Sequence, residues 1–153
     1  TNFTYWTQHC WGVTCVNDME AMLSYQPITI GDKEQALADL VRCYEKMMMR
    51  SHTNGGYVNL LDECWKMCEK FHTNIVIMYD HVSCKNVGGL HGLFEDQARE
   101  RGIHLIWIPH DVMDPRTVSR REMREAFSQY MVTVLNEKPL DPTIVEFDDS
   151  MAY

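Results

Sequence analysis

Apolar residues along this chain follow two rhythms, one with the period of a helix and one of unbroken short runs. After Asp32, the residues Leu37, Leu40, Val41, Tyr44, Met47 and Met48 recur at intervals of three and four. With Asp32 placed to cap the first turn and Gln35 three positions on, the spacing predicts an amphipathic helix. The break at Asn54-Gly55-Gly56 precedes a second stripe, Val58, Leu61, Cys64, Trp65, Cys68 and Phe71, which predicts another. A final helix opens on a capping box, Ser119 with Glu122. It carries Met123, Ala126, Phe127, Tyr130, Met131 and Val134, with Lys138-Pro139 as its predicted stop.

The unbroken runs differ. Residues 75–79 (IVIMY) and 104–108 (HLIWI, before Pro109) read as strands covered on both faces and central to a parallel sheet. The run 11–16 (WGVTCV), closed by Asn17-Asp18, is too short for a full helix and predicts a further strand. Leu93, Phe94 and Ala98, with Gly102 past the end, predict a crossover helix between the two long strands. This alternation implies an α/β layer structure, and such sheets bind ligands outside the carboxyl ends of their strands. Function is therefore expected in the loops after Val16, Tyr79 and Ile108.

Composition narrows the partners. The chain has 153 residues and is 45% hydrophobic, enough for one domain that buries roughly 70% of its unfolded surface. Fourteen Lys and Arg against twenty-two Asp and Glu leave a net charge of −8, which repels nucleic acid and anionic lipid surfaces. Half of that excess lies in residues 139–153, where Asp141, Glu146, Asp148 and Asp149 meet no Lys or Arg. The expected organisation is a single α/β domain over 1–138 and an acidic tail over 139–153. No apolar run approaches the ~20 residues that span a bilayer, and residues 1–8 lack a signal-peptide pattern, so a cytoplasmic location is expected. The six cysteines are expected reduced. The absence of an initiator Met points to a processed chain or a piece of a larger one.

Candidate chemistry concentrates in residues 80–89, Asp80-His81-Val82-Ser83-Cys84-Lys85-Asn86-Val87-Gly88-Gly89. A cysteine beside a lysine near a helix N-terminus favours the thiolate, the form that ligates iron or attacks an electrophile. Gly88-Gly89 would let backbone amides approach a phosphate or thioester oxygen, or would serve as a plain turn into the next helix; neither GxGxxG nor GxxxxGK[ST] is present. Cys64 and Cys68 share one helical face, where packing outweighs ligation, and Cys10, Cys15 and Cys43 read in the same way. In the third loop, Asp111, Asp114 and Arg116 either orient a substrate or tie the loop to itself, the second being the stronger reading. The seven histidines form no HxxH or HExxH pattern, and a classical hydrolase is unsupported.

Taken together, IVIMYD, HVSCKNVGGLHG, ARERGI, HLIWIPHD and DPRTVSRREMREAFSQYM resemble the C-terminal domain of the 2-hydroxyacyl-CoA dehydratase family, over about residues 74–130. That family also contains the ATP-dependent benzoyl-CoA reductase subunits. The resemblance implies a three-layer, mainly parallel, flavodoxin- or Rossmann-like fold forming the C-terminal half of a two-domain subunit. It further implies an oxygen-sensitive four-iron four-sulfur cluster at the domain interface, held by two cysteines of an N-terminal domain and one of the C-terminal domain. Cys84 occupies the matching position and is thereby implied as a ligand, with Ser83, Lys85, Gly88 and Gly89 lining the substrate side.

The implied activity is radical dehydration of an (R)-2-hydroxyacyl-CoA to an enoyl-CoA. Implied partners are a second dehydratase subunit and an ATP-dependent iron–sulfur activator that donates the electron; flavin as a further cofactor stays open. The remaining cluster cysteines have no counterpart here, so this chain alone is not expected to hold the cluster or to be active. The alternatives are a benzoyl-CoA reductase subunit, a non-catalytic accessory subunit of such a complex, and an unrelated flavodoxin-like module for a phosphate ligand.

Overall fold

The structure is a computed structural model and describes residues 2–19, 27–45, 47, 50, 52, 54–114 and 116–146. The chain divides into two compact units, Thr1–Val16 with Thr73–Tyr153, and Asn17–His72.

In the first unit, β1 (Ile75–His81) and β2 (His104–His110) pair in parallel, with Ile77 opposite Ile106 and His81 opposite His110. Alternation along a strand sends neighbouring side chains to opposite faces. Helix α5 (His91–Arg101) covers one face, its buried Phe94 lying edge-on to Trp107 at 6.1 Å between centroids. On the other face Ile106 and Ile108 join Phe127 and Met131 of α6 (Arg120–Thr133) and Trp6, Cys10 and Trp11 of α1 (Asn2–Trp11) in one core. Each fully buried side chain of this size contributes about 1.5–3 kcal/mol. The architecture is thus mixed α/β, with helices on both faces of a two-stranded parallel sheet.

Several sequence expectations hold and others change. The crossover helix ends as predicted, with Gly102 left-handed at φ 67°. Ser119 and Glu122 form the full capping box, each side chain bonding the other's backbone N–H. The predicted strand over 11–16 is replaced by the end of α1 followed by irregular chain. Phe3, Trp6, Cys10 and Trp11 have helical spacing, and the core claims Trp11 as the last turn of a helix. Gly12, at φ +71°, ends that helix, and a Cβ there would come within 2.9 Å of the Leu140 side chain.

The expectation that both runs are central strands also changes. Among the described residues each has only one neighbour, and β1 is only partly buried, Tyr79 being exposed. Pro109 lies inside β2 instead of ending it. The Val82 N–H donates to the His110 carbonyl at 3.1 Å, so His110 faces β1 and the Pro109 nitrogen faces away from it, to an edge with no partner strand among the described residues.

Helix α6 stops at Thr133, before Lys138-Pro139, and Asn136 turns the chain at φ 54°. The segment that follows returns across α1: the Leu140 N–H donates to the Cys10 carbonyl at 2.7 Å and the Trp6 indole N–H to the Ile144 carbonyl at 2.8 Å. The acidic stretch is therefore partly docked, with Asp141 capping a 3-10 turn at Pro142–Ile144. Asp148 and Asp149 lie outside the described residues.

The second unit contains α2 (Lys33–Glu45) and α3 (Tyr57–Phe71). Asp32 caps α2 as predicted, its Oδ1 accepting from the backbone N–H groups of Glu34 and Gln35, both at 3.1 Å. The apolar stripe of α2, however, is exposed at Leu37, Leu40, Val41 and Tyr44, and the buried position is Asp39. That carboxylate accepts from the Thr29 backbone and hydroxyl, the Gln35 amide and Arg42. These bonds, the Thr29 hydroxyl foremost, hold its pKa down at about 2. Met48 of the predicted stripe lies outside the described residues. In α3 the predicted stripe is buried at Leu61, Cys64, Trp65 and Cys68.

Candidate functional site

Parallel pairing brings the carboxyl ends of β1 and β2 to one edge, and the two predicted loops leave from there. The loop expected after Val16 loses its role, because no strand precedes it. Beyond β1, Cys84 opens a one-turn helix, α4 (Lys85–Gly88). Its N–H donates to the His81 carbonyl at 2.8 Å, and its own carbonyl accepts from the Gly88 N–H at 3.0 Å. The Cys84 thiol is half-buried and in no disulfide. Cys10, Cys64 and Cys68 are buried, in keeping with packing, while Cys15 is exposed and Cys43 half-buried. Burial pushes the Cys10 thiol up from its ordinary pKa.

Ser83 and Lys85 are exposed on the same loop. The amides of Gly88 and Gly89 are occupied by the carbonyls of Cys84 and Lys85, each at 3.0 Å. A Cβ at Gly89 would lie 3.1 Å from the Lys85 carbonyl oxygen, so that glycine permits close packing of the turn. The turn alternative for Gly88-Gly89 thus describes the backbone.

His81, the last residue of β1, joins the two loops. Its Nδ1 accepts from the Ser83 N–H at 3.1 Å and lies 3.0 Å from the Ser83 hydroxyl. Its Nε2 lies 3.3 Å from the Val112 nitrogen and 3.8 Å from Asp111 Oδ1. A neutral imidazole has one acceptor nitrogen, so it cannot accept from both backbone N–H groups at once. Whichever nitrogen is bare, the ring keeps one of the two: bare Nδ1 accepts from Ser83, and bare Nε2 accepts from Val112 in the other loop.

Asp111 meanwhile accepts from the Met113 N–H at 2.8 Å and the Asp114 N–H at 3.3 Å. The Met113 bond is the main cause of its lowered pKa. Arg116 forms a forked pair with Asp114, Nε to Oδ1 at 2.9 Å and Nη2 to Oδ2 at 2.7 Å. The charges of the third loop thus tie it to itself, the stronger of the two sequence readings. Pro115 of that loop lies outside the described residues.

On the other face of the sheet, His91 stacks on Trp107 at 3.7 Å between centroids. Its Nε2 lies 3.3 Å from Asp80 Oδ1, within ion-pair distance but without hydrogen-bond geometry. A shallow groove of about 410 Å³, lined by Glu95, Arg99, His104 and Tyr130 among others, lies at the opposite, amino end of β2. The loops at the carboxyl edge are the better candidate, since parallel sheets present ligands there.

Sequence reasoning missed the linking role of His81. Both seven-residue strands end in histidine, which in-register parallel pairing sets side by side, but nothing local to either loop signals which residues the His81 ring meets.

An iron–sulfur cluster needs several thiolates in one place. Among the described residues no group of three or more His, Cys, Asp or Glu gathers to hold a metal. Those residues therefore do not fit a whole cluster site. Among the described residues no helix is long and apolar enough to cross a membrane. No family model matches the chain, and no curated protein and no solved structure matches it.

Proposed function

We propose that this chain is the C-terminal part of an iron–sulfur 2-hydroxyacyl-CoA dehydratase subunit, with the three-layer parallel fold completed by further protein, and that Cys84 is its one ligand to the shared cluster. The observation that carries this reading is the half-buried Cys84 thiol at the carboxyl edge of a parallel pair, outside the hydrophobic core and in no disulfide. A thiol held in a turn between strand and helix is both fixed and reachable, as a ligand shared between two protein bodies must be.

When bound, the cluster supplies one-electron chemistry to the thioester of an (R)-2-hydroxyacyl-CoA, recharged by an ATP-dependent activator. The chain's own residues position and shield. Ser83 and Lys85 face solvent beside Cys84, and the Lys85 ammonium suits the anionic phosphates of coenzyme A. Gly89 keeps the turn compact, and with Gly88 it is read as lining the substrate side of the loop.

The test is Cys84→Ser in the complete subunit with its partners, reconstituted anaerobically with iron and sulfide. The iron content is expected to fall and the cluster's absorption and electron-paramagnetic spectra to change, with circular dichroism unaltered. Iron content and spectra equal to those of the unsubstituted complex would reject the ligand role.

A further inference from the structure

We propose that the sheet grows past β1 and not past β2, the outer edge of β1 taking an uncharged, apolar strand of the protein that completes the subunit. The inference rests on the reading that further protein completes this fold, and it names the edge and the kind of segment that docks there. The ladder bonds show which backbone groups face outward. The His104 N–H donates to the Asn74 carbonyl at 3.0 Å and the Val82 N–H to the His110 carbonyl at 3.1 Å, so the even-numbered residues of both strands turn their backbone groups to each other. Leu105, Trp107 and Pro109 therefore face the outer edge of β2, and Ile75 and Ile77 face that of β1, where no strand pairs with them among the described residues.

The two edges are built differently. On β2 the edge is guarded: Pro109 has no N–H, and the Leu105 N–H is taken by the Tyr130 hydroxyl of α6, so of the three only Trp107 keeps a donor for an incoming strand. Residues 75–79 of β1 contain no proline and no charge. Their side chains are apolar on both faces, Ile75 and Ile77 against the core of α1 and α6, Val76 and Met78 on the face of α5. Yet no position of β1 is fully buried and Tyr79 is 43% exposed, whereas Ile106 and Ile108 of β2 are at 1% and 0%. An unbroken apolar run belongs to a strand with neighbours on both sides, and an edge strand that stays an edge carries a guard. A charged neighbour would bury its charges beside Ile75 and Ile77 on one face or Val76 and Met78 on the other, which sets the occupant as apolar at consecutive positions.

The experiment is residue-resolved amide hydrogen exchange on the complete subunit, which needs no substitution and so no variant that must fold. The outward amides of Ile75 and Ile77 are expected to exchange about tenfold or more slowly than that of Trp107, as the gain of one hydrogen bond each implies. Nuclear Overhauser contacts from the same two amides are expected to reach an extended segment free of charged residues. Trp107 protected as well as Ile75 and Ile77 would overturn the proposal, since the sheet would then grow past β2. So would protection that disappears on dilution, which makes the occupant a second copy, or contacts to a helix or a charged segment. None of these readouts involves iron, and Cys84→Ser leaves this edge untouched, so the edge assignment and the ligand role fail separately.

Discussion

Helices α2 and α6 carry the same kind of sequence and meet different fates. Both begin at an acceptor side chain that bonds the backbone three residues on, and both carry apolar residues at intervals of three and four. In α6 that stripe is core: Phe127 is 0% and Met131 3% exposed. In α2 it is open: Val41 is 57% and Tyr44 60% exposed, and the buried residue is an aspartate. A cap and a period therefore specify that a helix forms and which face is apolar. They do not specify that the face is covered.

The largest break in this pairing is expected from Phe127→Ala, which removes a ring packed at 5.9 Å from Phe3, 5.7 Å from Trp6 and 6.4 Å from Trp11. Urea denaturation should show a loss of about 3–5 kcal/mol, against a change within about 0.5 kcal/mol for Val41→Ala. Equal losses at the two sites would mean that the α2 stripe is covered after all.

The caps, by contrast, should behave alike. Ser119→Ala and Asp32→Ala are each expected to weaken their helix by about 1 kcal/mol, read as faster amide exchange in the first turn.

A smaller effect concerns the buried carboxylate of α2. Asp39 has its pKa lowered to about 2, first by the Thr29 hydroxyl. Because the folded value lies below the ordinary one near 3.8, its stabilisation is complete above that pH and fades as pH falls toward 2. Exchange of the Thr29 amide should quicken over that window. In Asp39→Asn the dependence should vanish; a profile unchanged by the substitution would assign it to another group.

The candidate site was legible in uneven measure. Residues 75–110 announced a strand, a glycine-bearing loop, a helix and a strand, and the structure bears out that order. Cys84 was placed in its loop by sequence alone, and its half-burial agrees with a loop position. The approach of His81 to Asp111 was not legible, because the two residues stand thirty apart in the chain and meet only through parallel register. Trp11 misled for the opposite reason: the run 11–16 looks β-branched locally, while Phe3, Trp6 and Cys10 recruit Trp11 into a helix from upstream.

By itself the sequence determined what depends on neighbours within about four residues: the Asp32 and Ser119 caps, the helical stripes, the left-handed stop at Gly102 and the apolar runs of the two strands. Only the tertiary structure decided which stripe is buried, where α1 ends, why Pro109 is tolerated inside β2 and which loop residues meet at the sheet's carboxyl edge. The physical reason is range. Capping and periodicity act through local hydrogen bonds and side-chain spacing, whereas burial and strand register are set by surfaces that come together only when distant parts of the chain pack.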